Sequence, residues 1–116
     1  MTAQASAALG RAKARLDGLD LYPRPVLLRR VRILHVPWLF RLPWFRRFHG
    51  YTMWPLILLR RPLGETSDDL VCHELCHVWQ MQHHPVRMPL SYLRTGYDAN
   101  PYEREARAAA AATTRG

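Results

Sequence analysis

His73-Glu74-Leu75-Cys76-His77 decides how the rest of the chain can be interpreted, because it reads H-E-x-x-H. An α-helix turns by about 100° per residue, so His73 and His77 lie one above the other on the same face. Their imidazoles can converge on one metal ion, and Glu74 lies close enough beside them to reach a water on that ion. The pattern therefore predicts a helix that carries a metal site.

The residues around this motif favour a buried helix. Residues 66–69 read Thr-Ser-Asp-Asp, which combines hydroxyl caps with acids that suit the positive end of a helix. Apolar residues then surround the polar ones on nearly every side: Leu70, Val71, Leu75, Val78, Trp79 and Met81. Burying two imidazoles and a carboxyl group without partners is costly, and a metal ion removes that cost.

A catalytic zinc site needs a third protein ligand, for which Glu103 is the best candidate. Asn100 is a good helix cap and Pro101 a good first helical residue, so Glu103 falls in the first turn of a new helix. A plain capping interaction between Asn100 and Glu103 is the alternative. Glu105 is the fallback ligand, although it lies about 200° round the helix from Glu103.

His83 is a weaker candidate for the third ligand. It stands ten residues after His73, which is the spacing of H-E-x-x-H-x-x-G-x-x-H, but Gln80 occupies the position where that pattern has glycine. If the helix continues to His84, His83 points away from the metal-binding face. We therefore expect His83 and His84 to form a polar helix end, where imidazoles suit the negative end of the dipole.

Two segments together resemble the gluzincin group of zinc peptidases. The closest pattern is that of small bacterial metallopeptidase-like domains, which read H-E-L-x-H-V-x-Q and later P-x-E-x-E-A, and it matches residues 73–80 and 101–106. The resemblance covers about residues 50–112. In that group the first Glu of the second motif, here Glu103, is the third zinc ligand. A later Asp supports a ligating His, but Arg107 stands there in this chain, so Asp98, Glu105 or a backbone carbonyl must serve instead.

The resemblance implies a minimal zinc metallopeptidase that acts on a peptide or protein substrate. One Zn²⁺ per chain would be bound by His73, His77 and Glu103, and Glu74 would be the general base for the attacking water. Tyr92, Arg94 and Tyr97 are candidates to stabilise the oxyanion, and we favour Tyr97 because it lies in the loop that must approach the metal. The alternative is a non-catalytic, zinc-stabilised basic module that binds a membrane surface or nucleic acid.

The expected fold class is α+β: a small, mostly helical, zincin-like domain with a short edge strand or hairpin beside the motif helix. A chain of 116 residues allows one domain. We expect an N-terminal helix, or arm, and linker over residues 1–25. One minimal metallopeptidase domain then follows over residues 26–116.

Within that domain the sequence predicts further elements. Residues 51–61 read as a strand despite Pro55, and we expect residues 56–60 to be the free edge that holds the substrate backbone. An ordinary paired strand is the alternative. Residues 26–36 fit either a strand or a short helix, and residues 89–95 fit a short helix that ends at glycine.

Composition and charge constrain the class and the compartment. Residues 1–62 contain twelve Lys and Arg against two acids, and residues 63–116 contain five against seven, so +10 and −2 give the total of +8. The sequence predicts no transmembrane helix and no secretory signal. Cys72 and Cys76 are expected to be buried and reduced, outside the metal site. We therefore expect a cytoplasmic protein, with a peripheral membrane contact as a further option.

The segment of residues 36–48, Val36 to Phe48, combines five aromatic side chains with three arginines and two prolines. One interpretation is a peripheral membrane contact, in which the rings enter the interface and the arginines meet anionic lipid. Nucleic-acid binding through phosphate contacts and stacking is less favoured. The favoured interpretation is a hydrophobic core built from Trp38, Phe40, Trp44 and Phe48.

Overall fold

A computed structural model describes residues 2–19, 21–97 and 99–113. Within them, four α-helices and one three-stranded sheet form an α+β fold, which confirms the expected fold class. In chain order the elements are α1 (Ala3–Asp17), β1 (Arg32–His35), β2 (Gly50–Met53), β3 (Leu56–Leu59), α2 (Asp68–His83), α3 (Arg87–Thr95) and α4 (Pro101–Thr113). In this part of the chain no helix is long and apolar enough to cross a bilayer.

Helix α2 carries the H-E-x-x-H motif through the centre of the molecule. It begins as predicted, because the Ser67 hydroxyl accepts a hydrogen bond from the Leu70 amide at 3.1 Å. Helices α1 and α4 both pack against it. The shared core is apolar and includes Leu9, Leu16, Ile57, Leu59, Val71, Leu75, Val78, Trp79 and Ala106. The H-E-x-x-H motif is therefore held by a helix that is fixed on several sides.

The sheet has the strand order β1-β3-β2, with β1 parallel and β2 antiparallel to β3. The prediction that residues 56–60 form a free edge is wrong, because β3 pairs with a strand on each side. Pro55 lies in the turn that joins β2 to β3, so the apolar run of residues 51–61 is a hairpin. The ambiguous residues 26–36 contribute the strand β1.

The open edge beside the motif helix belongs to β2. The Arg60 amide donates to the His49 carbonyl at 3.1 Å, which makes these two residues a hydrogen-bonded antiparallel pair. Because such pairs alternate along the strands, the peptide groups of Gly50 and Thr52 point away from β3. No further strand pairs with β2 among the residues that the structure describes.

The aromatic segment of residues 36–48 does not form the core that the sequence suggested. Phe40 is fully buried and Phe48 is half-buried, but Trp38 and Trp44 are 63% and 78% exposed. The core interpretation is therefore wrong for both tryptophans. The segment contains a single 3₁₀ turn, Leu39–Arg41, which is too short to direct all four rings to one side.

Candidate metal centre

The structure brings His73, His77 and Glu103 together. One ligand atom from each of the three lies within 4.8 Å of those of the others, and the group is the one cluster of possible metal ligands among the described residues. His73 Nε2 lies 2.9 Å from Glu103 Oε1, and His77 Nε2 lies 2.8 Å from Glu103 Oε2. Helix α2 supplies both imidazoles, one turn apart, and the first turn of α4 supplies the carboxylate.

Helix α4 starts at Pro101 because Asn100 caps it. The Asn100 Oδ1 atom accepts from the Tyr102 amide at 2.8 Å and from the Glu103 amide at 3.3 Å. Asn100 is itself buried, and its amide group donates to Ser91 Oγ at 2.8 Å. The predicted cap is therefore present, and it places the Glu103 side chain against α2.

One oxygen of Glu103 supports the interpretation of this cluster as a metal site. Oε2 is buried and makes no well-aligned hydrogen bond, although His77 Nε2 is near. A buried carboxylate oxygen without a hydrogen-bond donor is costly, and a cation shared with the two imidazoles satisfies it. Two nitrogens and one carboxylate oxygen are the donor set that zinc accepts in catalytic sites, so these residues fit a zinc ion.

The electrostatics of the cluster also support its interpretation as a metal site. Burial raises the pKa of Glu103, but the adjacent imidazoles of His73 and His77, and their charges, hold that pKa well below its usual range. Burial opposes the charged form of His77, yet the pKa of this imidazole is raised because Glu103 and Glu74 favour its positive charge. The site therefore holds an ionised carboxylate and stabilises positive charge beside it.

Gln80 fixes the orientation of His77. Its Nε2 atom donates to the Tyr102 carbonyl at 2.8 Å and to Glu105 Oε1 at 3.0 Å, and both partners can only accept. Gln80 Oε1 must therefore face His77 Nδ1, 2.8 Å away, and accept a hydrogen bond from its N–H group. That arrangement leaves His77 Nε2 for a metal or, without one, for a second proton.

The acceptor for a ligating histidine was predicted to be Asp98, Glu105 or a backbone carbonyl, and the structure places Gln80 in that role for His77. Glu105 supports His77 only through Gln80, from which it accepts a hydrogen bond. It also accepts a hydrogen bond from the Tyr22 hydroxyl. Asp98 lies outside the described residues. The sequence contained one indication of this role, because the last glutamine of the H-E-L-x-H-V-x-Q pattern is Gln80, three residues after His77.

Glu74 is buried next to the triad but takes no part in it. The Thr52 hydroxyl lies 2.9 Å from both the Glu74 carbonyl oxygen and its Oε1 atom. Burial raises the pKa of Glu74, and the charges of His77 and His73 and the Thr52 hydrogen bond only partly oppose that rise. Gly50 permits the close approach, because a Cβ atom there would lie 3.3 Å from Glu74 Cγ.

Tyr97 and Arg107 contact Glu103 from the solvent side. The Tyr97 hydroxyl donates to Glu103 Oε1 at 2.9 Å, and Arg107 Nε lies 3.3 Å from the same oxygen. Burial and the charge of Glu103 raise the pKa of Tyr97, so it remains a donor. Arg107 therefore neutralises Glu103 from the position where the gluzincin pattern has an acid.

Two cavities meet at Glu74. The first, of about 580 Å³, reaches Glu74 and His77 and is called the apolar cavity here; its wall includes Phe45, Phe48, Met53, Met81, Met88 and Tyr92. The second, of about 460 Å³, reaches Glu74, His73 and Glu103 and is called the cationic cavity because Arg47 and Arg107 line it. Both cavities border Gly50 and Tyr97.

Other polar residues of the sequence analysis lie elsewhere. His83 stacks on Tyr22, with ring centroids 4.8 Å apart, and its Nδ1 atom lies 3.1 Å from the Trp79 carbonyl. Cys72 and Cys76 are free and buried, as predicted. The pKa of both thiols is raised by burial, so neither is poised as a thiolate ligand.

The chain matches no protein-family model, no curated protein and no solved structure. The resemblance to gluzincins therefore rests on the two sequence motifs and stays a prediction. The structure contributes the geometry of the triad, the position of Glu74 and the two cavities that give access to them.

Proposed function

We propose that this protein is a zinc-dependent peptidase. The observation that carries the proposal is the position of Glu74. This carboxyl group is adjacent to the His73, His77 and Glu103 triad, remains outside it, and lines both cavities. A purely structural zinc site needs four protein ligands and no general base beside an open approach.

The proposed chemistry assigns a role to each of these residues. A zinc ion bound by the triad would lower the pKa of a coordinated water towards about 7 and polarise the substrate carbonyl. Glu74 takes the proton from the attacking water and passes it to the leaving amine. Thr52 holds the Glu74 carboxyl group in place through its hydroxyl. Tyr97 is the proposed donor to the oxyanion, since its hydroxyl lies beside the triad.

Strand β2 offers a means to align the substrate. Its outward peptide groups, at Gly50 and Thr52, border the apolar cavity. A peptide that adds to this edge as an extra strand would run past Glu74. We therefore propose that β2, and not β3, holds the substrate backbone.

The first experiment is to measure the zinc content of the wild type, Glu103→Ala and Glu65→Ala by elemental analysis after mild chelation. Glu65 is an exposed acid in a 3₁₀ turn and serves as the control. We expect one zinc per chain in the wild type and in Glu65→Ala, and its loss in Glu103→Ala. Unchanged zinc in Glu103→Ala would refute the proposed ligand set.

The second experiment separates metal binding from catalysis. Glu74→Gln preserves shape and the contact with Thr52 but removes the base. We expect this variant to keep its zinc and to lose hydrolysis of a mixed peptide library by a factor of at least about 10². Full activity of zinc-loaded Glu74→Gln would refute the mechanism.

A second candidate function is a zinc-stabilised module that binds an anionic membrane surface. The observation that favours it is the exposure of Trp38 and Trp44 next to Arg41 and Arg46. Co-sedimentation with phosphatidylserine vesicles tests it, and binding with no hydrolysis by the zinc-loaded wild type would favour this candidate over the peptidase.

A further inference from the structure

A third cavity adjoins the apolar cavity at Trp54 and Met81, which line both. It encloses about 300 Å³ and is called the distal cavity here, because it lies beyond Met81 from Glu74 along α2. The rest of its wall comes from the segment before β1 and from the end of α2, and includes Arg24, Pro25, Leu27, Gln82 and His83.

The outer wall of the distal cavity is anchored to α2. The Trp79 indole Nε1 donates to the Arg24 carbonyl at 2.7 Å. The side-chain amide of Gln82 bonds both backbone groups of Leu27: its Nε2 atom donates to the carbonyl at 2.7 Å, and its Oε1 atom accepts from the amide at 3.1 Å. Residues 24–27 are therefore held in place, and the distal cavity is preformed.

The three cavities follow one another in the same order along β2 and α2, which pack together. Near β2, the cationic, apolar and distal cavities are lined within residues 49–50, residues 50–54 and at Trp54, respectively. On α2, they are lined within residues 69–74, 74–81 and 81–83, respectively. The cavities therefore form a row between the two elements, and Glu74 stands where the first meets the second.

We propose that this row is one groove that binds an extended peptide on both sides of Glu74, so that the protein is an endopeptidase, an inference that rests on the proposed peptidase function. A helix rises about 1.5 Å per residue, so residues 69–83 cover about 20 Å, which is the length of about six extended residues. Glu74 lies about a third of the way along. The groove therefore holds about two substrate residues on the cationic side and about four on the apolar and distal side.

The apolar cavity determines which side chains fit next to the cleaved bond. Its wall is formed mainly by aromatic and methionine side chains, which suit a large apolar side chain of the substrate. No Lys or Arg among the described residues lines it, so an acidic substrate side chain would be buried there without a partner. The substrate class is therefore an internal peptide segment with a large apolar residue on one side of the cleaved bond.

Decapeptides with an acetylated amino end and an amidated carboxyl end test the proposal. A randomised pool would be incubated with the zinc-loaded wild type, with zinc-loaded Glu74→Gln as the blank, and mass spectrometry would locate the cleaved bonds. The same pool with free ends is the comparison. The best substrate would then be shortened by one residue at a time from either end, with both ends kept blocked, and kcat/KM measured for each length.

We expect the blocked and free-ended pools to be cleaved at similar rates, at internal bonds with a large apolar residue always on the same side. Shortening should lower kcat/KM about five- to tenfold per residue once fewer than about four residues remain on that side, or fewer than about two on the other. Longer peptides should show no further gain.

Leu27→Asp and its control Leu34→Asp test the distal cavity itself. Both leucines are exposed, by 56% and 41%, but Leu27 lines the distal cavity, whereas Leu34 lies in β1 and lines none of the three cavities. We expect Leu27→Asp to remove most of the advantage in kcat/KM that the full-length substrate has over one shortened to two residues on the apolar side. Leu34→Asp should retain that advantage.

Two results would overturn the groove and leave the peptidase proposal intact. Cleavage that requires a free amino or carboxyl end would make the protein an exopeptidase. Equal losses on shortening from either end, with Leu27→Asp behaving as Leu34→Asp, would exclude the distal cavity from the binding site. Absence of hydrolysis of both pools by the zinc-loaded wild type would instead refute the peptidase proposal, and this inference with it.

Discussion

The two histidines of the centre stand one turn apart on the same helix, yet their surroundings differ. His77 is buried, lines the apolar cavity, and is held by Gln80, which in turn contacts Glu105. His73 is more exposed and lines the cationic cavity, and the residues described give it no hydrogen-bonding partner besides Glu103. One side of the centre is therefore fixed by a hydrogen-bonded network, and the other is open.

The two sides of the centre are therefore suited to different tasks. The network on the His77 side holds this imidazole in one orientation, because every polar atom of the Gln80 amide has a partner. The open side of His73 faces the cationic cavity, where the proposed peptidase would have room for its substrate and for exchange of its metal. We expect substitutions on the His77 side to change metal affinity, and substitutions along the two cavities to change substrate binding.

The largest expected effect on the rigid side comes from Gln80→Leu. This change removes the acceptor for His77 Nδ1–H and leaves the Tyr102 carbonyl without that donor. We expect zinc affinity to fall about 10- to 100-fold, as it does when ligand-supporting residues are lost. Competition with a chromogenic chelator measures this. Unchanged zinc affinity would show that Gln80 does not orient His77 for metal binding.

Local rules explain why the grouping of His73, His77 and Glu103 could be predicted from the sequence. The helix period places His73 beside His77, and the Asn100-Pro101 cap places Glu103 in a first turn; both relations span a few residues. The hydrogen-bonded network around Gln80 is different. Gln80 meets Glu105 only because α2 packs against α4, and a contact across 25 residues of sequence depends on the tertiary fold.

The sheet shows the same limit. Pro55 within an apolar run is compatible with an edge strand or with a turn, and the sequence does not separate the two. The structure resolves the ambiguity in favour of a turn, which makes β3 central and β2 the edge. The exposure of Trp44 also could not be predicted, because composition does not say which rings of an aromatic segment are buried.

Trp44 and Trp38 provide a matched pair for testing substrate binding along the apolar cavity. Both are exposed, but only Trp44 lines the apolar cavity. We expect Trp44→Ser to raise KM for peptides with a bulky apolar residue about five- to tenfold, and Trp38→Ser to leave it unchanged. Steady-state kinetics with apolar and polar peptides measure this. Equal loss of vesicle binding in both variants, with unchanged KM, would favour the membrane candidate.

A smaller effect is expected at the outer end of the network. Tyr22→Phe removes the hydroxyl that donates to Glu105 but keeps the ring stacked on His83. We expect the free energy of unfolding to fall by about 1–2 kcal/mol and zinc affinity to fall only a few-fold. Thermal unfolding and chelator competition measure the two. Tyr102→Phe is the control, and an equal loss there would remove any specific role for Tyr22.

The smallest effect is a shift in pH dependence, at the junction of the two cavities. Burial raises the pKa of Glu74, and the Thr52 hydrogen bond lowers it, so Thr52→Val should raise it further. Because the base acts as a carboxylate, a higher pKa moves the acidic limb of the kcat/KM profile to higher pH. Activity at pH well above that limb should change little, and zinc content should not change.

Thr52→Ser keeps the hydroxyl and should restore the wild-type profile. A limb that stays in place in Thr52→Val would mean that Glu74 is not the group whose ionisation controls the acidic side of the reaction.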